Sequence, residues 1–355
     1  MVTRVVATGW TRNVRPLILK GFAIGLLLSA GCRTSPIVGE REPRAGDEIM
    51  VAGQLFHTGT PIVLWTDPGG FDGYRVERRF GSWARAGWAE SKADVPTLDT
   101  PNRYGLRAQS LLPEEIERVR GGGWDLPLLQ RVVDQFVLHY DAVGVSRVTF
   151  AKLHDDRGLS VHFMLDLDGT IYQTLDLKER AWHATIANSR SIGIEIANIG
   201  AYAADHERNP LADWYATDTD GRTRLTIPER FGDQPERMAG FAGKPSRDEA
   251  ITGSINGQSV RQYDFTPEQY AALIKLTAAL CRIFPKMACD YPRDAAGHVI
   301  TTTLPEAEWA EFGGVLGHFH IQTNKIDPGP AMDWNRLIDG ARKEIARAER
   351  RGRKR

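Results

Sequence analysis

Two histidines and one aspartate in this chain of 355 residues have the types and the setting of metal ligands. His139 lies in a short apolar run, and His318 follows a glycine shortly before Asp327. A catalytic zinc ion takes three nitrogen or oxygen ligands from the protein and keeps a fourth position open for water. We therefore predict that His139, His318 and Asp327 bind one Zn2+ ion if the segments that carry them are neighbours.

A carboxylate and an ammonium group accompany these ligands. Glu195 stands alone among isoleucines, and Lys325 lies just before Asp327. A carboxylate on the open side of a metal can take a proton from water, and a fixed cation can stabilise the oxyanion formed when an amide is attacked. We predict these two catalytic roles for Glu195 and Lys325. His320 competes with His318 as a ligand, because both would lie on the same side of one strand.

The elements that must position these residues follow from apolar runs bounded by turn signals. A helix should begin at Thr266, with Pro267 in its first turn and Gln269 completing a capping box. A final amphipathic helix is predicted over residues 332–348. Strands are predicted at residues 136–140, 161–165, 171–175, 191–196 and 314–322. This interleaving predicts an α/β fold with a single mixed central β-sheet flanked by helices.

The N-terminus has the pattern of an export signal. Basic residues precede an apolar run at residues 21–30, which is much shorter than the roughly 20 residues of a membrane span. Cys32 follows small residues, as in a bacterial lipobox, so we predict lipidation of Cys32 and a periplasm-facing lipoprotein of the bacterial cell envelope, held on a membrane by its anchor. The alternative is an ordinary signal peptide that is cleaved without lipidation.

Composition narrows the remaining classes. Lys+Arg and Asp+Glu both number 45, so the net charge gives no argument for nucleic-acid binding, and we expect no nucleic-acid partner and a monomer. The other two of the three cysteines, Cys281 and Cys289, form either a disulfide or two free buried thiols.

Several ordered segments resemble the type-2 N-acetylmuramoyl-L-alanine amidases, a family that includes the peptidoglycan recognition proteins. The matching segments are Val137-Leu138-His139-Tyr140, Val161-His162-Phe163 with Asp168-Gly169-Thr170-Ile171-Tyr172-Gln173, Ala181-Trp182-His183-Ala184, Asn188 with Ser191-Ile192-Gly193-Ile194-Glu195, Phe265-Thr266-Pro267-Glu268-Gln269, Gly317-His318, and Asp327-Pro328-Gly329-Pro330 before Asp333-Trp334.

The resemblance implies zinc-dependent hydrolysis of the amide between N-acetylmuramic acid and L-alanine, in peptidoglycan or in muropeptides. It implies the metal ligands and catalytic residues already named, and contacts of Trp182, His183 and Asn188 with the substrate. Asn188 could instead form a turn, and a structural role for His183 is an equal alternative. The alternative function is a recognition protein that binds peptidoglycan without cutting it; such proteins typically lose a metal ligand, and none is missing here.

These observations divide the chain into five predicted parts. They are a lipoprotein signal peptide (1–31), a tether (32–47), a β-rich N-terminal extension of unknown role (48–111), a zinc amidase domain (112–340) with a long insertion at about 199–262, and a basic tail (341–355).

Overall fold

The computed structural model describes residues 38–39, 43–74, 104–120, 123–203, 210–231, 238 and 240–353. Residues from Arg44 to Arg355 form one compact unit. The predicted signal peptide and Cys32 lie outside the described residues.

The described residues contain fifteen strands, numbered here in chain order. They are β1 (Glu48–Val51), β2 (Gln54–His57), β3 (Ile62–Leu64), β4 (Tyr104–Gly105), β5 (Gln135–Tyr140), β6 (Phe163–Leu165), β7 (Ile171–Gln173), β8 (Arg180–Ala181), β9 (Ser191–Ile196), β10 (Tyr215–Thr217), β11 (Thr223–Thr226), β12 (Ala242–Gly243), β13 (Ile251–Ile255), β14 (Gln258–Gln262) and β15 (Gly314–Gly317).

The described residues also contain seven α-helices. They are α1 (Pro113–Arg120), α2 (Leu126–Val132), α3 (Ser146–Ala151), α4 (Leu211–Trp214), α5 (Pro267–Ile283), α6 (Glu306–Glu311) and α7 (Trp334–Gly352). None of the described helices combines the length and the apolar character needed to cross a membrane.

Six strands form the central sheet, in the order β15-β5-β9-β6-β7-β3. The first four are mutually parallel, β7 runs antiparallel to β6, and β3 is parallel to β7. The sheet is therefore mixed and flanked by helices, which confirms the predicted fold class. The strand predictions at residues 136–140 and 191–196 correspond closely to β5 and β9.

The two faces of the central strands have different surroundings. On one face Phe136, Leu138, Ile192, Ile194 and other residues pack in the main hydrophobic core with residues of α5 and α7. Side chains alternate along a strand, so the residues between them point to the opposite face. That alternation puts His139 and Glu195 on the other face, where the functional site forms.

Helix α5 begins as its sequence predicts. The Thr266 side chain accepts a hydrogen bond from the Gln269 amide at 3.0 Å, and the Gln269 side chain accepts one from the Thr266 amide at 2.9 Å. This capping box satisfies two amides that have no partner within the helix. The helix ends at Ile283, before Pro285.

The N-terminal extension contributes directly to the central sheet. Its strand β3 pairs with β7, with Ile62 opposite Ile171. The Gln173 side chain, at the end of β7, donates to the Met50 carbonyl at 2.8 Å and accepts from the Met50 amide at 2.7 Å. The extension therefore supplies the edge strand of the sheet, and the Gln173 side chain joins the sheet to the Met50 backbone.

The structure contains the predicted final helix of residues 332–348, with slightly different ends. The final helix begins at Trp334, with Asp333 as its N-cap, and continues to Gly352. The basic residues from 341 onward therefore extend a helix, in which Arg347 pairs with Glu344. Of the two alternatives for Cys281 and Cys289, the structure has free thiols.

The insertion is folded over much of its length. Strands β10, β11 and β12 form a small sheet, and β13 and β14 form a hairpin. Trp214 is buried in a second hydrophobic cluster, and its ring lies where a side chain at Gly144 would stand, only 2.6 Å from an added Cβ. The insertion therefore packs on the loop that follows β5.

Candidate active site

The site lies at the carboxyl ends of three neighbouring parallel strands. His139 is in β5 and faces Glu195 of β9 in the strand register. His318 directly follows Gly317, the last residue of β15. Ligand sites of open α/β sheets form outside the carboxyl ends of their strands, because the loops that leave there can surround a shared crevice.

The predicted ligands converge within this crevice. Asp327 Oδ2 lies 2.8 Å from His139 Nδ1 and 3.0 Å from His318 Nδ1, and all three residues are buried. One potential ligand atom from each lies within 4.8 Å of the others. Two imidazole nitrogens and one carboxylate oxygen fit the donor chemistry of zinc, and the arrangement could hold one metal ion.

The electrostatics of the three residues favour a cation between them. Burial opposes ionisation of Asp327, but the charge of His318 and the hydrogen bonds from both histidines lower its pKa below the usual range. Burial, with the nearby charge of His318, lowers the pKa of His139 to about 4. At neutral pH the site therefore presents a carboxylate and a neutral imidazole from His139, the states that bind a metal.

Glu195 stands in the same cleft, whose volume is about 460 Å³. Its Oε2 is buried and has no hydrogen-bond partner within the described chain. Burial, followed by the negative charge of Asp327, raises the pKa of Glu195 well above its usual value. A buried carboxylate with an unused oxygen beside a candidate metal site suits a general base, and a bound cation would lower its pKa again.

Lys325 also lines the cleft, on the loop between His318 and Asp327. Its backbone is fixed, because the amide donates to the Gln322 carbonyl at 3.1 Å and the carbonyl accepts from Asn256 Nδ2 at 2.8 Å. The structure thus brings Lys325 and Glu195 to the same cavity as the three ligands, as the sequence led us to expect. Their catalytic roles stay predictions.

His320 does not compete for the metal. Only the first part of the predicted strand over residues 314–322 is present, as β15 (Gly314–Gly317), because the chain then turns into a 3-10 helix at His318–His320. His320 is buried, accepts from the Gly317 amide at 2.9 Å through Nδ1, and donates from Nε2 to the Ile300 carbonyl at 2.7 Å. Both of its ring nitrogens are therefore used away from the site.

The predicted substrate contacts differ in their surroundings. Trp182 lines the cleft, and its indole nitrogen is buried without a partner in the described chain. Asn188 is buried, and its side-chain oxygen accepts from the amides of His183 and Ala184 at 3.1 and 2.7 Å. These contacts support the turn-forming alternative for Asn188. His183 reaches the cleft, but its ring nitrogens face protein groups.

A residue of the insertion, Asn256, holds the ligand loop from the side. It forms the tip of the β13–β14 hairpin, at a positive φ of 47° that asparagine tolerates better than most residues. Its Nδ2 donates to the carbonyls of Phe319, Gln322 and Lys325 at 3.2, 3.1 and 2.8 Å. No local sequence pattern predicts this role, because the partners are distant along the chain.

Gln262, at the end of β14, holds the other end of the same loop. Its side chain donates to the Pro328 carbonyl at 3.1 Å and accepts from the Ala331 amide at 3.0 Å. A side chain at Gly329 would collide with it, since an added Cβ would lie 2.1 Å from its oxygen. The hairpin therefore braces the segment that supplies Lys325 and Asp327.

The mixed sheet and the cleft at the carboxyl ends of its strands together define an α/β enzyme site that could hold one metal ion. The family described as N-acetylmuramoyl-L-alanine amidase (Amidase_2) matches residues 129–330, more than half of the chain. The chain belongs to this family of N-acetylmuramoyl-L-alanine amidases, which confirms the resemblance and the class of enzyme predicted from the sequence.

Several solved structures are similar to this chain. A crystal structure of an AmpD derivative is 18% identical, covering 67% of this chain and 89% of that chain with a TM-score of 0.30. The amidase AmiD from E. coli, in complex with anhydro-N-acetylmuramic acid-L-Ala-D-gamma-Glu-L-Lys, is 21% identical, covering 59% and 57% with a TM-score of 0.31.

The endolysin amidase LysCS from Clostridium intestinale is 14% identical, covering 61% of this chain and 87% of that chain with a TM-score of 0.31. A search of curated proteins finds no match. The identities and TM-scores of these solved structures are too low to support the family assignment. That assignment depends on the family match over residues 129–330.

Proposed function

We propose that this chain is a zinc-dependent enzyme that hydrolyses the amide bond between N-acetylmuramic acid and L-alanine in peptidoglycan or muropeptides. The observation that carries the proposal is the convergence of His139, His318 and Asp327 beside Glu195, whose carboxylate lines the same cleft. A structural metal site would not need a partnerless carboxylate at its open side.

Each residue has a task in this reaction. A zinc ion at the three ligands would polarise the substrate carbonyl and lower the pKa of a water molecule. Glu195 accepts the proton of that water through its carboxylate and can return it to the leaving amine of L-alanine. Lys325 places its ammonium group at the cleft, where it stabilises negative charge on the carbonyl oxygen. The amide bond breaks, giving a lactyl carboxylate and a free stem peptide.

Zinc content and product analysis test the proposal together. The purified full chain in detergent should hold one zinc ion and release stem peptides from cell-wall sacculi, as detected by mass spectrometry with and without a chelator. Glu195→Ala should keep the zinc and stop the release. A wild-type chain that binds zinc and leaves both sacculi and muropeptides intact would contradict the proposal.

The size of the substrate is a further part of this proposal. Polymeric peptidoglycan and soluble anhydro-muropeptides contain the same lactyl–L-alanine amide, so both fit the chemistry of the cleft. Rates of release measured in parallel on sacculi and on anhydro-muropeptides distinguish an enzyme that acts on the polymer from one that acts on fragments.

We also propose that the chain is exported and anchored in the bacterial envelope through lipid on Cys32. The support is the basic segment, the apolar run at residues 21–30 and the small residues that precede Cys32. Metabolic labelling with a radioactive fatty acid should mark the wild-type chain and not Cys32→Ala. An unlabelled wild-type chain released in soluble form would favour ordinary signal-peptide cleavage.

A further inference from the structure

The two imidazoles that face Asp327 each have a second partner on their outer side. His139 turns Nδ1 toward Asp327, and its Nε2 lies 3.0 Å from His183 Nδ1. His318 also turns Nδ1 toward Asp327, and its Nε2 lies 2.6 Å from Gln322 Oε1. Neither outer partner is one of the three ligands, and both sit within hydrogen-bonding distance of a ligand ring.

The proton positions of the first pair follow from the metal-binding role of His139. A neutral imidazole that offers Nδ1 to a metal carries its proton on Nε2. That proton can be donated to His183 Nδ1, so the proton of His183 must lie on its own Nε2. This nitrogen is 3.2 Å from Ser191 Oγ, which accepts the hydrogen bond. Each hydrogen bond from His139 through His183 to Ser191 therefore has one donor and one acceptor.

The second pair obeys the same rule with a different acceptor. His318 offers Nδ1 to the site, so its Nε2 carries a proton and donates it to Gln322 Oε1. The amide oxygen of glutamine accepts this bond well, while its nitrogen could not. With Nδ1 bound to a metal ion, each ligand imidazole therefore has one tautomer that also satisfies its outer partner.

Both outer partners are held in place by their surroundings. The ring of His183 lies against Gly193, where an added Cβ would be 2.5 Å from Nδ1, so only glycine leaves room for it. The backbone carbonyl of Gln322 accepts a hydrogen bond from Asn256 at 3.1 Å. A fixed acceptor is what a ligand imidazole needs if its ring is to keep one orientation.

We propose that His183 and Gln322 are positioning residues that fix the orientation and the tautomer of the metal-binding imidazoles, with Ser191 as the second acceptor behind His183. This assignment rests on the proposed zinc site. It differs from the substrate contact that the sequence led us to expect of His183, because both ring nitrogens face protein groups. Outer partners of this kind typically contribute about 10–100-fold to metal affinity.

Zinc affinity of the full chain in detergent, measured by competition with a chromophoric chelator, tests this assignment without relying on activity. His183→Ala and Gln322→Ala should each weaken zinc binding by about 10–100-fold. Gln322→Glu keeps an acceptor at the same place and should bind zinc at least as tightly as the wild type. His183→Asn offers an amide oxygen near the position of Nδ1 and should recover part of the loss.

Matched controls separate positioning from general damage. His298→Ala removes an exposed histidine, whose side chain is 80% exposed, and should leave zinc affinity unchanged. Thermal unfolding of each metal-free variant shows whether it is folded, and only folded variants are compared. If His183→Ala does not fold, the zinc affinities of Gln322→Ala and Gln322→Glu still test the positioning role.

The outcomes distinguish this inference from the proposed function. A wild-type chain that binds no zinc overturns the zinc site and the inference with it. A wild-type chain that binds zinc, with His183→Ala and Gln322→Ala of equal affinity, overturns the positioning role alone. A His183→Ala variant with unchanged zinc affinity and a raised KM would identify His183 as a substrate contact instead.

Discussion

His139 and Glu195 are register partners on adjacent parallel strands, and their side chains share one face of the sheet. This pairing places a candidate metal ligand beside a candidate base without any loop between them. Because strands are rigid elements, the separation of the two groups is set by the sheet itself. The rest of the site lies outside the strands, in the segment that carries His318, Lys325 and Asp327, which the β13–β14 hairpin braces.

Glu195→Gln should abolish most activity while the metal stays bound. Glutamine has nearly the same shape, but its amide cannot accept the proton that the reaction releases. We expect kcat to fall by about 10²–10⁴-fold, in line with the contribution of general acid–base catalysis. Stem-peptide release and zinc content are measured on the same preparation, and a variant that keeps wild-type kcat would rule out Glu195 as the base.

Lys325→Ala should lower kcat by about 10²–10³-fold with a small change in KM, because the ammonium group acts on charge that develops during the reaction. Lys325→Arg keeps the charge and should retain more activity than alanine. Steady-state kinetics on a soluble muropeptide provide both constants. Equal rises in KM for the two variants, with kcat preserved, would point to ground-state binding instead.

Asn256→Ala should weaken the brace between the insertion and the ligand loop. Three carbonyls lose their donor, and the positive φ becomes less favourable, so we expect a loss of about 1–3 kcal/mol in the free energy of unfolding. Asn256→Asp keeps the acceptor that binds Thr303 but has no amide donor. Urea unfolding should place both variants below the wild type, and identical stability of Asn256→Asp and the wild type would argue against the brace.

Arg107 should be essential for stability, although no sequence pattern marks it. Its guanidinium is fully buried and donates to the carbonyls of Leu177, Asn188, Ser189 and Ser191. Arg107→Met fills a similar volume but leaves these carbonyls without a donor, which should cost about 3 kcal/mol or more. Chemical denaturation measures the loss. Arg118, whose side chain is 50% exposed, is the matched control, and Arg118→Met should change stability little.

Stability should fall on acidification, partly because of His162. Its Nδ1 accepts from the Gly193 amide at 3.1 Å, and its Nε2 lies 3.0 Å from the Glu179 carbonyl, an arrangement that suits only the neutral ring. Burial, followed by the charge of Arg107, lowers its pKa from 6.5 to about 3. Between pH 6.5 and about 3, His162 therefore binds a proton in the unfolded chain but stays neutral in the folded chain.

The sign follows from this difference. The contribution of neutral His162 is complete above pH 6.5 and is lost progressively as the pH falls toward about 3. Urea unfolding of the metal-free chain at several pH values measures the slope. His162→Gln should flatten it, whereas His298→Ala should leave it unchanged; an equal slope for His162→Gln and the wild type would contradict this account.

Local patterns were sufficient for the segments that carry the chemistry. The apolar runs around His139 and Glu195 predicted strands because a buried parallel strand needs apolar residues on both faces. The capping box at Thr266 predicted the start of α5, since its partners are three residues apart and local. His139, His318, Asp327, Glu195 and Lys325 could be named in advance because residue type and local setting limit their chemistry.

Contacts between distant residues decided the rest. Residues 314–322 have the apolar character of a strand, but the side chain of His320 bonds back to Gly317 and to Ile300, and the chain turns at His318. Because of that turn, His320 is not a candidate metal ligand. Neither the docking of β3 on β7 nor the hold of Asn256 on the ligand loop has a local signature, because each joins segments far apart in sequence.

The sequence by itself therefore determined which residues could act and which elements would carry them. Only the tertiary structure decided that His183 lies behind His139, that Gln322 lies behind His318, and that a hairpin of the insertion supports the loop of Lys325. The physical reason is that propensity and periodicity act over a few residues, whereas the direction of a hydrogen bond depends on how strands, turns and loops pack in space.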